Sequence, residues 1–295
     1  MDRDWVLIIL LGFCFGSIFY FQDIMLNDVG PLTISLARTT LAAVFSWAFY
    51  ILSGQSLRVP SEMFPSLVVL GLLMFVVPFA AYPLGQQYIA TGLAGIVNAM
   101  TPIMVIIVSH FWPGGDRVTR AKVLGVAAGF AGIILLSVPA LGESENTELL
   151  GIFIILAAPV SFGFALNWNR RFATISPGVV ATWSFTFASL FLLPVVLLLE
   201  GVPGSVSAPT IGAGLVLGVL LTGGAFHAAF RIMVRAGPTK MSSVTFIVPI
   251  SALMIGWLAL GESLLPLHFA GMAAIFLGLV LIDDRWANRK TQPSG

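Results

Sequence analysis

Polar residues interrupt this chain only at intervals. Between them run apolar stretches of about 18 to 25 residues, the length a helix needs to cross a bilayer. Ten such stretches are predicted, near residues 5–26, 31–52, 63–84, 92–112, 120–139, 149–169, 178–199, 211–230, 240–260 and 266–283. A helix is expected for each, because lipid offers the backbone no hydrogen-bond partner and a helix satisfies its own. The breaks carry turn chemistry: Asn27 to Pro31, Ser53 to Pro60, Pro113-Gly114-Gly115, Gly142 to Thr147, Ser176-Pro177-Gly178, Gly201 to Pro209 and Gly237-Pro238. All the connections are short, so any function is left to the helical bundle.

Composition agrees with the pattern. Hydrophobic residues make up 58% of the chain and charged residues 9%, against roughly half and a quarter in globular proteins. A soluble fold would have to cover its surface with charge that this chain does not possess, and a mean hydropathy of +1.00 suits a surface that meets lipid. An integral membrane protein is expected. A net charge of +1 supplies no basic field for a nucleic-acid backbone, which excludes nucleic acid as a partner. The single cysteine, Cys14, can form neither an internal disulfide nor a thiolate cage, and three scattered histidines make no metal site. No cofactor or metal is expected. The apolar stretch from Trp5 past Tyr20 is too long for a signal core and no small-residue cleavage site closes it, so it is expected to remain as the first span.

Charge sets the orientation, since Lys and Arg gather in short cytoplasmic loops. With the N-terminus inside, the inner loops carry Arg3; Arg58; Arg117, Arg120 and Lys122; Arg170 and Arg171; Arg231, Arg235 and Lys240; and Arg285, Arg289 and Lys290, thirteen of the fourteen cations. The fourteenth, Arg38, lies within a span, and the outer face has only Asp28, Glu143, Glu145, Glu148, Glu200 and Glu262 near it. Ten spans with both termini cytoplasmic follow.

The chain also matches itself at a shift of about 146 to 147 residues: Ala99 to Ile103 falls on Phe246 to Ile250, Gly115-Asp116 on Gly261-Glu262, Gly125 on Gly271, and Gly132-Ile133 on Gly278-Leu279. This divides the chain into a first unit over 1–142 and a second over 147–295. Five spans per unit is an odd number, so the second unit is expected upside down relative to the first. That inverted plan is the one secondary transporters use, with the substrate site near mid-membrane between the halves.

Each unit has a proline in the middle of its fourth span, a Gly followed by an acid before its fifth, and glycines within the fifth. In this the chain resembles the EamA-type members of the drug/metabolite transporter superfamily, over essentially its whole length. Arg38, within Ile34 to Leu41 (ISLARTTL), is similar to an arginine that the family often carries early in its second span; Ser184 stands at the matching place in the second unit. The resemblance implies an all-α membrane protein, a carrier of ten transmembrane helices as two inverted five-helix repeats around a central cavity. It also implies a transporter, often an exporter of amino acids, metabolites or toxic compounds.

Several residues could carry transport. Pro102 and Pro249 lack the N–H that would reach the carbonyls of Asn98 and Thr245, so each is expected to act as a hinge with a polar residue lining the cavity. Arg38 lies about seven residues, or roughly 10 Å of helix, from the outer end of its span. A charge there costs at least about 2.5 to 3.5 kcal/mol on insertion scales and should face protein, water or an anion. Asp23 is its expected partner. Either Arg38 attracts a substrate carboxylate and Asp23 an ammonium, which would suit an amino acid, or the two form a permanent structural pair. His227 is the one histidine well inside a span. It could relay a proton for coupled transport or rest neutral between helices. Tyr82, Asn167 and Trp183 are deep enough to line a cavity. The seven-residue spacing of Gly125 and Gly132, and of Gly271 and Gly278, permits close helix contact within the bundle, with dimerisation the lesser reading.

No hydrolase, protease or Walker motif occurs, so an enzyme is not expected and transport must run on a gradient. The expected function is a secondary transporter, exporting small amphipathic metabolites with amino acids first. A flippase for lipid-linked substrates and a multidrug or organic-cation exporter are the alternatives. The partners are then a small-molecule substrate, the lipid bilayer and a possible proton; the expected location is the cell membrane, as a bacterial inner-membrane protein.

Overall fold

The computed structural model describes residues 3–114, 119–139, 147–241 and 244–282. Gly115, Asp116, Arg117, Glu143, Glu145, Arg285, Arg289, Lys290 and the Gly142–Thr147 break up to residue 146, all used in the sequence reading, lie outside them. Every regular element among the described residues is helical. Eight helices are long and apolar enough to cross a membrane: α1 (Asp4–Leu26), α2 (Pro31–Leu52), α3 (Ser61–Gln86), α4 (Thr91–Phe111), α5 (Arg120–Ser137), α6 (Thr147–Phe172), α7 (Pro177–Leu199) and α8 (Ala208–Ala229, which runs on as helix). Two shorter apolar helices follow, α9 (Val244–Leu260) and α10 (Pro266–Ile282). Large apolar side chains such as Leu198, Leu258, Phe153 and Trp257 stand exposed, as a surface in contact with lipid requires.

The helices depart from the sequence expectation in three places. The predicted break at Gly237-Pro238 is absent, since α8 continues as helix from Ala225 to Met241. A proline removes only one backbone hydrogen bond and neighbouring groups in a bundle compensate for it, so the helix carries on. α4 is instead interrupted at Ala99 and Met100, between the half-helices Thr91–Asn98 and Thr101–Phe111. Finally, α3 and α8 each contain a wider π-helical stretch, Leu72–Val76 and Val216–Gly224. These two stretches sit at corresponding places in the two halves.

Repeat symmetry recurs in the turns. The glycines with positive φ are Gly54, Gly114, Gly201 and Gly261. They form two pairs 147 residues apart, each placed where a helix has just ended and a left-handed residue closes it without Cβ strain. Packing shows how the halves relate. A Cβ on Gly125 would lie 2.6 Å from the Gly278 carbonyl oxygen, and one on Gly132 would lie 2.7 Å from that of Gly271. Gly125 corresponds to Gly271 and Gly132 to Gly278, yet contact joins each to the other's counterpart. α5 and α10 therefore run antiparallel with their backbones touching.

The same holds for α2 and α7. Glu200, at the end of α7, accepts hydrogen bonds from the N–H groups of Leu32 and Thr33 at 2.8 Å each, and from the Thr33 hydroxyl at 2.6 Å. A carboxylate there satisfies orphan donors and meets the positive end of the helix dipole. Glu262 treats α4 likewise, accepting from Thr91 N–H at 2.5 Å and Gly92 N–H at 2.8 Å. At the other end of the bundle, Arg235 of α8 forms an ion pair with Asp4 of α1.

Candidate functional site

A cavity of about 430 Å³ opens between the two halves, lined by residues of α1, α2, α3, α4, α6, α8 and α9. Its walls repeat. Phe15 and Phe162, Phe19 and Leu166, Phe79 and Phe226, Asn98 and Thr245, and Thr101 and Val248 all line it, and the members of each pair are 147 residues apart. Both halves therefore contribute corresponding residues to the cavity. Most of the wall is aromatic or aliphatic, with a few polar groups at defined places, the composition of a small-molecule site.

Arg38 is the charged residue among those that line it. It is only 3% exposed. Its Nε donates to Thr222 Oγ1 at 2.8 Å, and its guanidinium carbon lies 3.5 Å from the centre of the Phe79 ring. Thr222 is held in turn by its own bond to the Leu217 carbonyl, 2.7 Å, inside the π-helical stretch of α8. These contacts fix the plane of the guanidinium and leave Nη1 buried with no partner among the described residues. The sequence match to Ser184 is corrected here. At a shift of 147 the counterpart of Arg38 is Phe185, which meets Phe226 edge-on at 5.8 Å between centroids, where Arg38 sits over the face of Phe79. Ring against ring in one half replaces cation against ring in the other.

Tyr82 donates its phenol proton to Asn98 Oδ1, and Phe19 packs edge-on against the Tyr82 ring. The Thr101 hydroxyl donates to the Asn98 carbonyl at 2.8 Å, so the oxygen that Pro102 frees is already occupied. Pro102 itself starts the second half-helix of α4. Pro249 lies inside the unbroken α9, a difference between the two positions that the sequence reading did not contain. Asn98 and Thr245 share the cavity with Arg38 and Tyr82.

The other expected site residues lie elsewhere. The Arg38–Asp23 pair is not formed. Asp23 lies near enough to Glu262 for the two carboxylates to repel each other, while Arg38 is engaged by Thr222 and Phe79. Asn167 is buried, donating to the carbonyls of Gly163 at 2.9 Å and Val105 at 3.4 Å. It borders a second cavity of about 510 Å³ with Trp112, Trp168, Arg170 and Arg171. Trp183 stacks on Phe187 and meets Phe64 at a tilt, and its indole N–H donates to Leu57 O at 2.9 Å. His227 packs among Phe45, Phe49 and Tyr50, with Nδ1 2.8 Å from the Gly223 carbonyl oxygen. None of these four lines the cavity that holds Arg38. Thr222 and the paired phenylalanines escaped the sequence reading, although extending the 147-residue shift along the whole chain would have exposed the pairs.

Comparison with known proteins agrees with this architecture. The model of the EamA-like transporter family matches residues 5–138 and again 149–282. The chain is 24% identical over 285 residues to YoaV, an uncharacterized transporter of Bacillus subtilis (strain 168), covering 96% of this chain and 97% of that one. It is 24% identical over 271 residues to YedA, an uncharacterized inner membrane transporter of Escherichia coli (strain K12), covering 90% and 86%. Protein PecM of Dickeya dadantii (strain 3937) is 23% identical, with 91% and 88% covered. A crystal structure that is 21% identical superposes with a TM-score of 0.69 over 98% of both chains, which shows a shared fold. With two family matches that span nearly all of its helices, this multi-pass membrane protein belongs to the EamA-like transporter family and is a transporter rather than an enzyme.

Proposed function

We propose that the chain is a secondary transporter of small amphipathic metabolites that works by alternating access. In this reading ten helices span the membrane as two inverted repeats, 1–142 and 147–295, with both termini cytoplasmic. The cavity holding Arg38 is the central site, and α8 and α9 contribute its inner wall. Export across a bacterial inner membrane, with amino acids as the first class to try, is the working direction and substrate. The observation that carries it is the cavity lined by five repeat-related pairs of residues. A site between two similar halves can be opened toward either face by similar movements. The arginine held there, desolvated and with a nitrogen unpartnered, supplies the polar recognition.

Counterflow in proteoliposomes tests the reading. Vesicles containing the purified chain are preloaded with amino acids, organic cations or sugars, with and without a pH gradient, and radiolabel exchange is followed. Exchange of one class above protein-free vesicles is expected, and its dependence on the gradient decides whether a proton is coupled. Exchange of no class would overturn the carrier reading. Reporter fusions at both ends give the topology independently: termini on opposite faces would sink the ten-span arrangement.

A further inference from the structure

The charge balance of the cavity goes further than its shape. Arg38 is the charged residue in its lining, and no Asp or Glu is among the described residues that form the wall. The polar groups beside it have committed their acceptors. Asn98 Oδ1 takes the Tyr82 phenol proton, and the Asn98 carbonyl takes that of Thr101. The Asn98 amide nitrogen is therefore turned to donate, and it has no acceptor among the described residues. Arg38 Nη1 is likewise an N–H donor without an acceptor. Two donor groups on one wall, one of them cationic, ask for an anion.

The asymmetry between the halves places the rest of the ligand. At the position related to Arg38 the second half carries Phe185, so that half adds no second cation there. There Phe226 meets Phe15, Phe75 and Phe185 at 5.8 to 5.9 Å between centroids, and Phe162 and Phe226 line the wall. Arg38 is thus the cationic group in a wall that is otherwise largely aromatic and aliphatic. With Nε held by Thr222 and the guanidinium face on Phe79, Nη1 is the nitrogen left without a partner among the described residues, a charged donor suited to a carboxylate.

We infer that the transported substrate is an aryl carboxylate, bound with its carboxylate on Arg38 and Asn98 and its ring against Phe162 and Phe226, and that an α-ammonium group is not recognised. The inference rests on the carrier reading above and replaces amino acids, as the first substrate class, with carboxylates that lack an ammonium. An amino acid would satisfy Arg38 with its carboxylate, but its ammonium would be desolvated without a counter-charge, since no carboxylate is among the described residues of the wall and Asp23 does not line it. That desolvation penalty is what discriminates between the two. An organic cation would meet like charge at Arg38.

Three probes that share one skeleton separate the cases: 3-phenylpropionate carries the carboxylate alone, L-phenylalanine carries both groups, and 2-phenylethylammonium carries the ammonium alone. Binding to the purified full chain and counterflow in proteoliposomes are measured for each at neutral pH, with leak through protein-free vesicles subtracted. 3-Phenylpropionate is expected to bind on the order of tenfold or more tightly than either of the others, as expected for one uncompensated buried charge. Arg38→Gln should abolish that preference, and Arg38→Lys should retain part of it, with thermal melting used to confirm that both variants are folded. Should Arg38→Gln fail to fold, the ranking of the three probes on the unaltered protein still decides. Preference for L-phenylalanine or 2-phenylethylammonium would overturn the assignment and leave the carrier reading standing. So would failure of all three while another class exchanges. Failure of every solute class would overturn both.

Discussion

Arg38 and Thr222 belong to different halves of the chain, 184 residues apart, and are joined by an Nε–H to hydroxyl hydrogen bond of 2.8 Å. The bond fixes the turn of the guanidinium about its own axis, because stacking on Phe79 fixes the tilt but not the rotation. Thr222→Val removes the acceptor at constant shape. A hydrogen bond to a charged group contributes about 1.5–3 kcal/mol, so the substrate KM is expected to rise roughly tenfold or more while turnover at saturation stays near normal. Transport kinetics in proteoliposomes give the two constants separately. An unchanged KM would show that Phe79 alone orients the guanidinium.

Asp28 offers a pH test outside the membrane. It accepts hydrogen bonds from the Ser207 hydroxyl, from Ser207 N–H at 3.0 Å and from the Thr210 hydroxyl at 2.5 Å. These bonds hold its carboxyl below the usual carboxylate range, the Ser207 hydroxyl contributing most. A depressed folded-state pKa means stability that is fully present above the unfolded value of about 3.9 and lost as pH falls through the folded value. Melting temperature followed downward from neutral pH should therefore fall less steeply below about pH 4 in Asp28→Asn than in the parent chain. Identical profiles would mean that the tie between the start of α8 and the end of α1 contributes nothing.

Much of the fold could be read from the sequence, because a helix in lipid announces itself by length and apolarity alone. The predicted stretches and the described helices agree closely for α1, α2, α7 and α10. The interruption of α4, the π-helical stretches of α3 and α8, and the continuation of α8 past Pro238 were not legible, since they depend on which neighbour satisfies a freed backbone group. The site divides in the same way. Arg38, Tyr82, Asn98 and Thr245 stand out as polar residues within apolar runs. Asp23, Asn167, Trp183 and His227 stand out equally, and only helix rotation separates the two sets. Phe15, Phe79, Phe162 and Phe226 line the cavity, yet in a chain with 23 phenylalanines their composition carries no signal.

The contact between α5 and α10 predicts a sharp contrast between two glycines. A Cβ at Gly132 would meet the Gly271 carbonyl oxygen at 2.7 Å and the Ile275 backbone nitrogen at 3.0 Å, whereas one at Gly212 would meet nothing within 4 Å. Backbone cannot swing aside as a side chain can, so Gly132→Ala must push the two helices apart. Overpacking of this kind costs about 1–3 kcal/mol, and a clear drop in melting temperature in detergent is expected. Gly212→Ala, in an exposed stretch of helix, should leave it unchanged or slightly raised. Equal melting temperatures for the two variants would show that the α5–α10 backbones do not touch in solution.

The two prolines that the repeat places in equivalent positions should behave unequally. Pro102 stands in the first turn of a half-helix, where a missing N–H leaves no bond unmade, and the Asn98 carbonyl is already taken by Thr101. Pro249 lies inside a continuous helix, where it has no N–H to give the Thr245 carbonyl four residues earlier. If α9 bends there as access alternates, Pro249→Ala supplies the absent N–H and closes the ladder, so each cycle must break about 1 kcal/mol of new hydrogen bond. Turnover is then expected to fall roughly fivefold with little change in KM, while Pro102→Ala stays close to the parent rate. Equal slowing in both would point to symmetric hinges, and an unchanged rate in Pro249→Ala would remove α9 from the moving parts.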